Sequence, residues 1–297
     1  MRIGVTLPLA EGDVAGGSVP TFRDTLGFAR HAESAGLDSI WVFDHLLFRD
    51  PGGPDEGIRE AWTTLAALAP AVPRVELGSL VMCSSFRNPA LMAKMAATLD
   101  DLSGGRVILG LGSGWHDPEY EAFGYPIDHR VGRFAEDLEV AARLLRGETV
   151  SMVGRWRTMT RAALVPPPAR AVPILVAAEG PRMLALTATW ADAWNAAWFG
   201  AGDARLRALL AGLDAACAEA GRDPATLRRT VGIRLHDPGA GHDDRAGLAV
   251  DADGLAGLFD DLAALGIDDA IVWSRSKSAA ALDRIADARR RHLGQAG

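Results

Sequence analysis

Cysteine is scarce. Only Cys83 and Cys217 occur in 297 residues, far apart and without metal-ligand spacing, and a reducing cytoplasm is the expected setting. The histidines are scattered, with no H-E-x-x-H or H-x-H pair, so no metal site is expected. Positive charge is also short: 31 Lys and Arg against 38 Asp and Glu leave a formal net charge of −7. That balance argues against nucleic acid as the principal partner, because phosphate-backbone binding needs a basic surface. A phosphorylated cofactor stays admissible, since local arginines and backbone N–H groups bind phosphate on an acidic protein. No uninterrupted apolar stretch is long enough for a bilayer, and the opening Arg2-Ile3-Gly4-Val5 is no signal region, so neither membrane nor export is expected. Low-complexity tracts are missing too, and nothing repeats beyond a strand–helix unit.

What is present is alternation. Short apolar, β-branched runs over 2–8, 39–44, 75–82, 107–110, 174–177, 192–196, 230–235 and 270–274 read as strands. Helical patterns over 21–35, 61–69, 89–102, 131–146, 182–190, 204–220, 253–265 and 279–292 separate them. Parallel neighbours need a helical crossover, so this order implies a parallel sheet. Eight strands with eight helices favour a closed (β/α)₈ barrel, one domain over residues 1–297. Residues 46–59, rich in Gly and Pro, read as a loop; 148–171 reads as an insertion with a small hairpin; 236–245 is another loop.

In such barrels reactive groups sit at the C-terminal ends of strands and in the loops that follow. Asp44-His45 stands at one such end and offers a hydrogen bond and a titrating imidazole. The same pair would equally serve as a turn cap beside a solvated ring. Gly110-Leu111-Gly112-Ser113-Gly114-Trp115 is not a dinucleotide fingerprint, which wants its third glycine where Trp115 stands. It reads as a turn that lets a flat cofactor approach the backbone, or as a tight turn with Trp115 filling the mouth. Glu179-Gly180-Pro181-Arg182 opens a helix whose free N–H groups would receive phosphate, or is a plain helix start. The arginines at 289–291 read as a solvated helix face, and Cys217 as core.

Several segments together resemble the luciferase-like monooxygenase family. They are Asn88-Pro89-Ala90-Leu91-Met92-Ala93-Lys94, Thr98-Leu99-Asp100, Ser103-Gly104-Gly105-Arg106 and the run from Gly110 to Trp115. Asp44-His45, Glu60-Ala61-Trp62, Pro173-Ile174-Leu175-Val176 and Ala191-Asp192-Ala193-Trp194-Asn195 extend the likeness to about Trp198. The sequence is most similar to the branch that uses coenzyme F420, an 8-hydroxy-5-deazaflavin. The resemblance implies a barrel with the cofactor across its C-terminal mouth, a bulge on the third strand with a cis bond at Leu80–Val81, and a homodimer. It implies that Asp44 hydrogen-bonds the ring and His45 lies near the reacting centre. Val81 and Cys83 would back the ring, Gly112, Ser113 and Gly114 would approach it, and Glu179, Gly180 and Pro181 would take the phosphate end. One departure stands out: a sugar-phosphate dehydrogenase branch carries a glutamate acid where this chain has Trp115. His45 is then the better acid–base candidate, with His116 and Asp117 in reserve.

Three functions compete. The first is hydride transfer between coenzyme F420 and a small organic substrate. The second is an FMN-dependent monooxygenase using oxygen, which a 5-deazaflavin does not activate because carbon occupies the reactive position. The third is a flavin-binding barrel without catalysis.

Overall fold

The computed structural model describes residues 1–14, 16–236 and 248–295. Its elements begin with β1 (Arg2–Thr6), α1 (Phe22–Ser34), β2 (Ser39–Val42), β3 (Phe48–Arg49), β4 (Asp55–Glu56), α2 (Ala61–Leu68), β5 (Glu76–Ser79), β6 (Met82–Cys83) and α3 (Pro89–Ser103). They continue with β7 (Val107–Gly112), α4 (Asp117–Phe123), α5 (Arg130–Leu145), β8 (Val150–Val153), β9 (Thr158–Ala162), β10 (Ile174–Ala177) and α6 (Pro181–Trp190). The rest is β11 (Ala193–Phe199), α7 (Ala204–Glu219), β12 (Arg228–Leu235), α8 (Ala252–Ala264), β13 (Asp269–Ser274) and α9 (Ala279–His292).

Parallel pairing runs β10–β11–β12–β13–β1–β2–β5–β7, and β7 pairs back with β10, Ile174 opposite Leu109. The sheet therefore closes into the expected eight-stranded barrel. Local chemistry starts and stops its helices. Thr21 and Asp24 form a reciprocal capping box at α1. Asn88 accepts from Ala90 and Leu91 N–H at α3, with Pro89 in the first turn and Gly104 closing the helix at φ 69°.

Four places differ from the pattern read in the sequence. The third strand stops at Ser79, and its continuation β6 pairs with Leu111 and Gly112 of β7. Between the two pieces lies a cis Leu80–Val81 peptide, at the bond the resemblance indicated. Residues 46–59 are not all loop: β3 and β4 pair antiparallel, Phe48 opposite Glu56, and Arg49 forks onto Asp55 at 2.5 and 2.6 Å. The hairpin in the insertion pairs β8 with 158–162, a strand that starts ahead of the apolar run at 162–165. The Glu136 carboxylate sets that register, accepting from the N–H groups of Arg155, Trp156 and Arg157 at 2.7–3.0 Å. Helix α4 has no counterpart in the sequence reading. Of the loop read over 236–245, all but His236 lies outside the described residues.

The barrel interior is packed around Trp41, fully buried with Ile108, Leu175, Ala193 and Ile271. Gly78 gives that indole its space, since a Cβ there would fall 2.1 Å from Trp41 Cε3. Gly78→Ala should therefore destabilise the protein by about 1–3 kcal/mol, the usual cost of overpacking. Urea denaturation measures it, and an unchanged midpoint would mean that Trp41 has room to shift. The strands' N-terminal ends carry a second, polar plug. Asp269 is buried against Arg228, and Glu76 pairs with Arg2 at 2.6 Å and with Arg228 at 3.2 Å. Among the described residues the two plugs fill the barrel below its mouth, which leaves the opposite end for a ligand.

Candidate active site

At the C-terminal ends of the strands the loops surround a cavity of about 570 Å³. That volume lies within the range of small-molecule and cofactor sites. Of the residues singled out in the sequence, Asp44, His45, Val81, Cys83, Gly112, Ser113, Gly114 and Glu179 line it. Gly180 and Pro181 follow Glu179 at the start of α6, just outside the lining. Trp115 reaches the rim and is two-thirds exposed.

His45 extends from the end of β2 into this space. Its Nδ1 lies 3.0 Å from Glu119 Oε1, while Glu119 Oε2 accepts from the Leu46 N–H at 2.8 Å. Glu119 is 2 % exposed, so its carboxyl group is held by these two contacts and not by solvent. A carboxylate acceptor at Nδ1 places a proton on that nitrogen and leaves Nε2 for a ligand. Among the described residues Nε2 has no hydrogen-bond partner. Phe48 packs against the imidazole at 4.4 Å between centroids, and Trp115 meets it edge-on at 5.4 Å. The other two candidates are occupied elsewhere. His116 Nε2 accepts the Arg49 N–H at 3.1 Å, and Asp117 pairs with Arg130.

Asp44 has a different environment. Both of its oxygens are engaged by the Arg87 guanidinium, at 2.6 and 3.1 Å, and Oδ2 also accepts the Cys83 N–H at 3.0 Å. Arg87 reaches on to Glu60, whose carboxylate caps α2. Burial raises the Asp44 carboxyl above the usual range, and Arg87 opposes that shift. The side chain thus ties the end of β2 to β6, fixing the bulge that carries Val81 and Cys83.

Facing this bulge, the loop after β7 comes close enough that side chains are excluded. A Cβ on Gly112 would stand 2.6 Å from Val81 Cγ2, and one on Gly114 would stand 1.8 Å from Tyr120 Oη. Tyr120 donates to the Ser113 carbonyl at 3.0 Å and lies 2.9 Å from Cys83 Sγ. Burial pushes the Cys83 thiol up to about 11, so it stays neutral and lines the wall without nucleophilic character. The outcome is a narrow slot between bare backbone and an aliphatic ridge, which suits a flat ring. At the slot's outer end α6 begins at Gly180 with no side-chain cap, leaving its first N–H groups for an anion. Arg205 at this end is paired with Glu179 at 2.5 Å, so the backbone N–H groups are the main provision for an anion there. These features fit a flavin-type ring with a phosphate-bearing tail.

Glu119, Arg87 and Tyr120 were not singled out as site residues in the sequence. Glu119 and Tyr120 lie on α4, a seven-residue helix whose signals, Pro118 in the first turn and Gly124 at its end, bound too short a segment to read as an element. The cavity's other wall was also missed, apart from Asn195 and Trp198. It includes Thr6, Asn195, Trp198, Arg234 and Trp273, with the Trp198 and Trp273 ring centroids 6.5 Å apart. Among the described residues, no group of three His, Cys, Asp or Glu could hold a metal, and no helix is long and apolar enough to cross a membrane.

Comparison with known proteins follows this geometry. The F420-dependent glucose-6-phosphate dehydrogenase of Amycolatopsis mediterranei is 37% identical over 164 residues, 54% of this chain and 48% of that protein. The F420-dependent hydroxymycolic acid dehydrogenase of Mycobacterium tuberculosis is 36% identical over 204 residues, 67% of this chain and 55% of the relative. The chain thus spans about half the length of these curated relatives. Among solved structures, an F420-dependent secondary alcohol dehydrogenase bound to an F420–acetone adduct superposes with a TM-score of 0.79 at 21% identity, covering 97% of both chains. A riboflavin lyase with modified FMN gives a TM-score of 0.81 at 14% identity, over 100% of this chain and 92% of the other. At such identities these likenesses establish the fold. The family model for luciferase-like monooxygenases matches residues 1–240. With four-fifths of its length matched, the chain belongs to the luciferase-like monooxygenase family.

Proposed function

We propose that this chain is an oxidoreductase that transfers a hydride between coenzyme F420 and a small organic substrate, with His45 handling the accompanying proton. The observation that carries the reading is the His45–Glu119 pair at the edge of a slot shaped for a flat ring. The relatives at 36–37% identity whose names carry F420 support the choice of cofactor.

When bound, the deazaflavin supplies a carbon that gives or accepts hydride. The chain's part is to bind, orient and exclude water. Val81 and Cys83 would back the ring, and Gly112, Ser113 and Gly114 would let it approach the backbone. Asp44 would act mainly by fixing the bulge, because its oxygens are already taken. The α6 N-terminus opened by Gly180 and Pro181 would receive the phosphate end, beside the Glu179–Arg205 pair. His45 Nε2 would take a proton from an alcohol or return it to a carbonyl oxygen, with Glu119 stabilising the imidazolium in between. The cation that forms is compensated within the site by the Glu119 carboxylate.

Titration of the purified protein with coenzyme F420 and, separately, with FMN tests the cofactor. Saturable fluorescence change and a raised melting temperature are expected with the deazaflavin. Stabilisation by FMN alone would replace this reading with a flavin monooxygenase, and stabilisation by neither would leave a barrel without redox chemistry.

A further inference from the structure

Lys277 is buried beneath the wall of the cavity opposite the ring slot. It is 7 % exposed, and its ammonium donates to both the backbone carbonyl of Thr6, at 3.1 Å, and the Thr6 hydroxyl oxygen. The same Nζ lies 5.3 Å from the centre of the Trp273 ring. Burial pushes this lysine down to about 8, while the nearby Asp13 carboxylate acts the other way, so it carries its proton at neutral pH. A buried ammonium is costly unless it is used or well paired. Here its partner is a residue that itself lines the cavity.

A threonine hydroxyl has one proton and two lone pairs. Lys277 occupies a lone pair of Thr6, and no described residue accepts the hydroxyl proton. Thr6 is 1 % exposed yet lines the cavity, so its hydroxyl is a buried donor at the floor, backed by a positive charge. Its strand β1 stands between β2, which leads to His45, and β13, which carries Trp273. Thr6 is in register with Trp41, below the level of Asp44 and His45. Around it the walls are aromatic: Phe48 on one side, Trp198 and Trp273 on the other.

We infer that the Thr6 hydroxyl donates to the reacting oxygen of a ketone or secondary alcohol with apolar substituents, and that Lys277 is the positioning residue that aims it. The inference rests on the hydride-transfer reading above. In the reducing direction the carbonyl carbon would receive hydride from the reduced deazaflavin in its monoanionic form, and the oxygen would take a proton from the His45 imidazolium. The products are the alcohol, oxidised cofactor and neutral His45. The Thr6 O–H bond would stay intact throughout, donating to the oxygen from the floor of the cavity that His45 also lines. Negative charge developing on that oxygen meets a donor polarised by Lys277, an arrangement that acts most strongly in the transition state.

The test uses protein loaded with reduced deazaflavin and the ketones acetone and acetophenone. Thr6→Val should lower kcat/KM by about 10²-fold with cofactor affinity unchanged, and Thr6→Ser should restore most of it. Lys277→Met should give a similar loss, and the double variant should be no worse than Thr6→Val, because the lysine acts through that hydroxyl. Lys94 and Lys277 are the chain's two lysines, so ¹⁵N-lysine spectra resolve the second cleanly. Its ammonium signal should move when acetophenone joins the oxidised holoenzyme and stay put in Thr6→Val. Full activity in Thr6→Val, or multiplying losses in the double variant, would overturn the inference while leaving hydride transfer intact. If Lys277→Met fails to fold, the valine and serine variants, which keep the lysine, decide alone. Wild-type protein that reduces neither ketone removes the substrate class, and protein that does not bind the deazaflavin removes the underlying reading as well.

Discussion

His45→Ala should lower turnover by about 10²–10⁴-fold, the range that positioned acid–base groups contribute. Cofactor affinity should change little, because the slot is made by other residues. The imidazole contributes one nitrogen to the cavity and spends the other on Glu119. Glu119→Gln keeps a hydrogen-bond acceptor at Nδ1 but loses the negative charge, so its turnover should fall between wild type and His45→Ala. Single-turnover hydride transfer and equilibrium cofactor titration separate the two effects. If affinity fell as far as turnover, His45 would be a cofactor ligand. Unchanged turnover would move the proton to another group altogether.

The second large effect is on stability. Arg87→Ala should cost about 3–5 kcal/mol, since it strands a buried carboxylate without its partner. Asp44 has no exposed side-chain surface, and without the guanidinium it keeps only the Cys83 N–H. Burial already raises its pKa, and loss of Arg87 drives it further toward the neutral acid. The companion variant Asp44→Asn in the Arg87→Ala background should recover part of the loss by removing the uncompensated charge. Urea denaturation monitored by tryptophan fluorescence gives both numbers. A loss below about 1 kcal/mol would place the pair with solvent-like ion pairs, against the geometry.

The barrel was legible in the sequence because its signals are local and repeated. The Asn88-Pro89 helix start, the Gly104-Gly105 stop and the apolar runs each state their structure within a few residues. Asp44 and His45 were legible as a position, at a strand end, but their division of roles was not. Asp44 meets Arg87 from 43 residues away, and His45 meets Glu119 from 74, so neither contact leaves a trace in spacing. The same holds for Thr6 and Lys277, 271 residues apart, which meet only because the first and last strands of the barrel are neighbours. Short segments misled for a related reason. The insertion's hairpin turn is held by Glu136, 19–21 residues earlier on the preceding helix, and not by the apolar residues of the insertion.

The ion pairs among Arg2, Glu76, Arg228 and Asp269 anchor four strands at the end remote from the chemistry. That anchoring divides the molecule into a chassis and a set of exchangeable parts. Register is fixed at one pole, so the segments leaving the other pole can be lengthened, shortened or replaced without unseating the sheet. Segment 46–59, with its own hairpin clamped by Arg49 and Asp55, is a natural cartridge for such exchange. Transplanting that cartridge between family members offers a route to new substrate ranges on an unchanged frame.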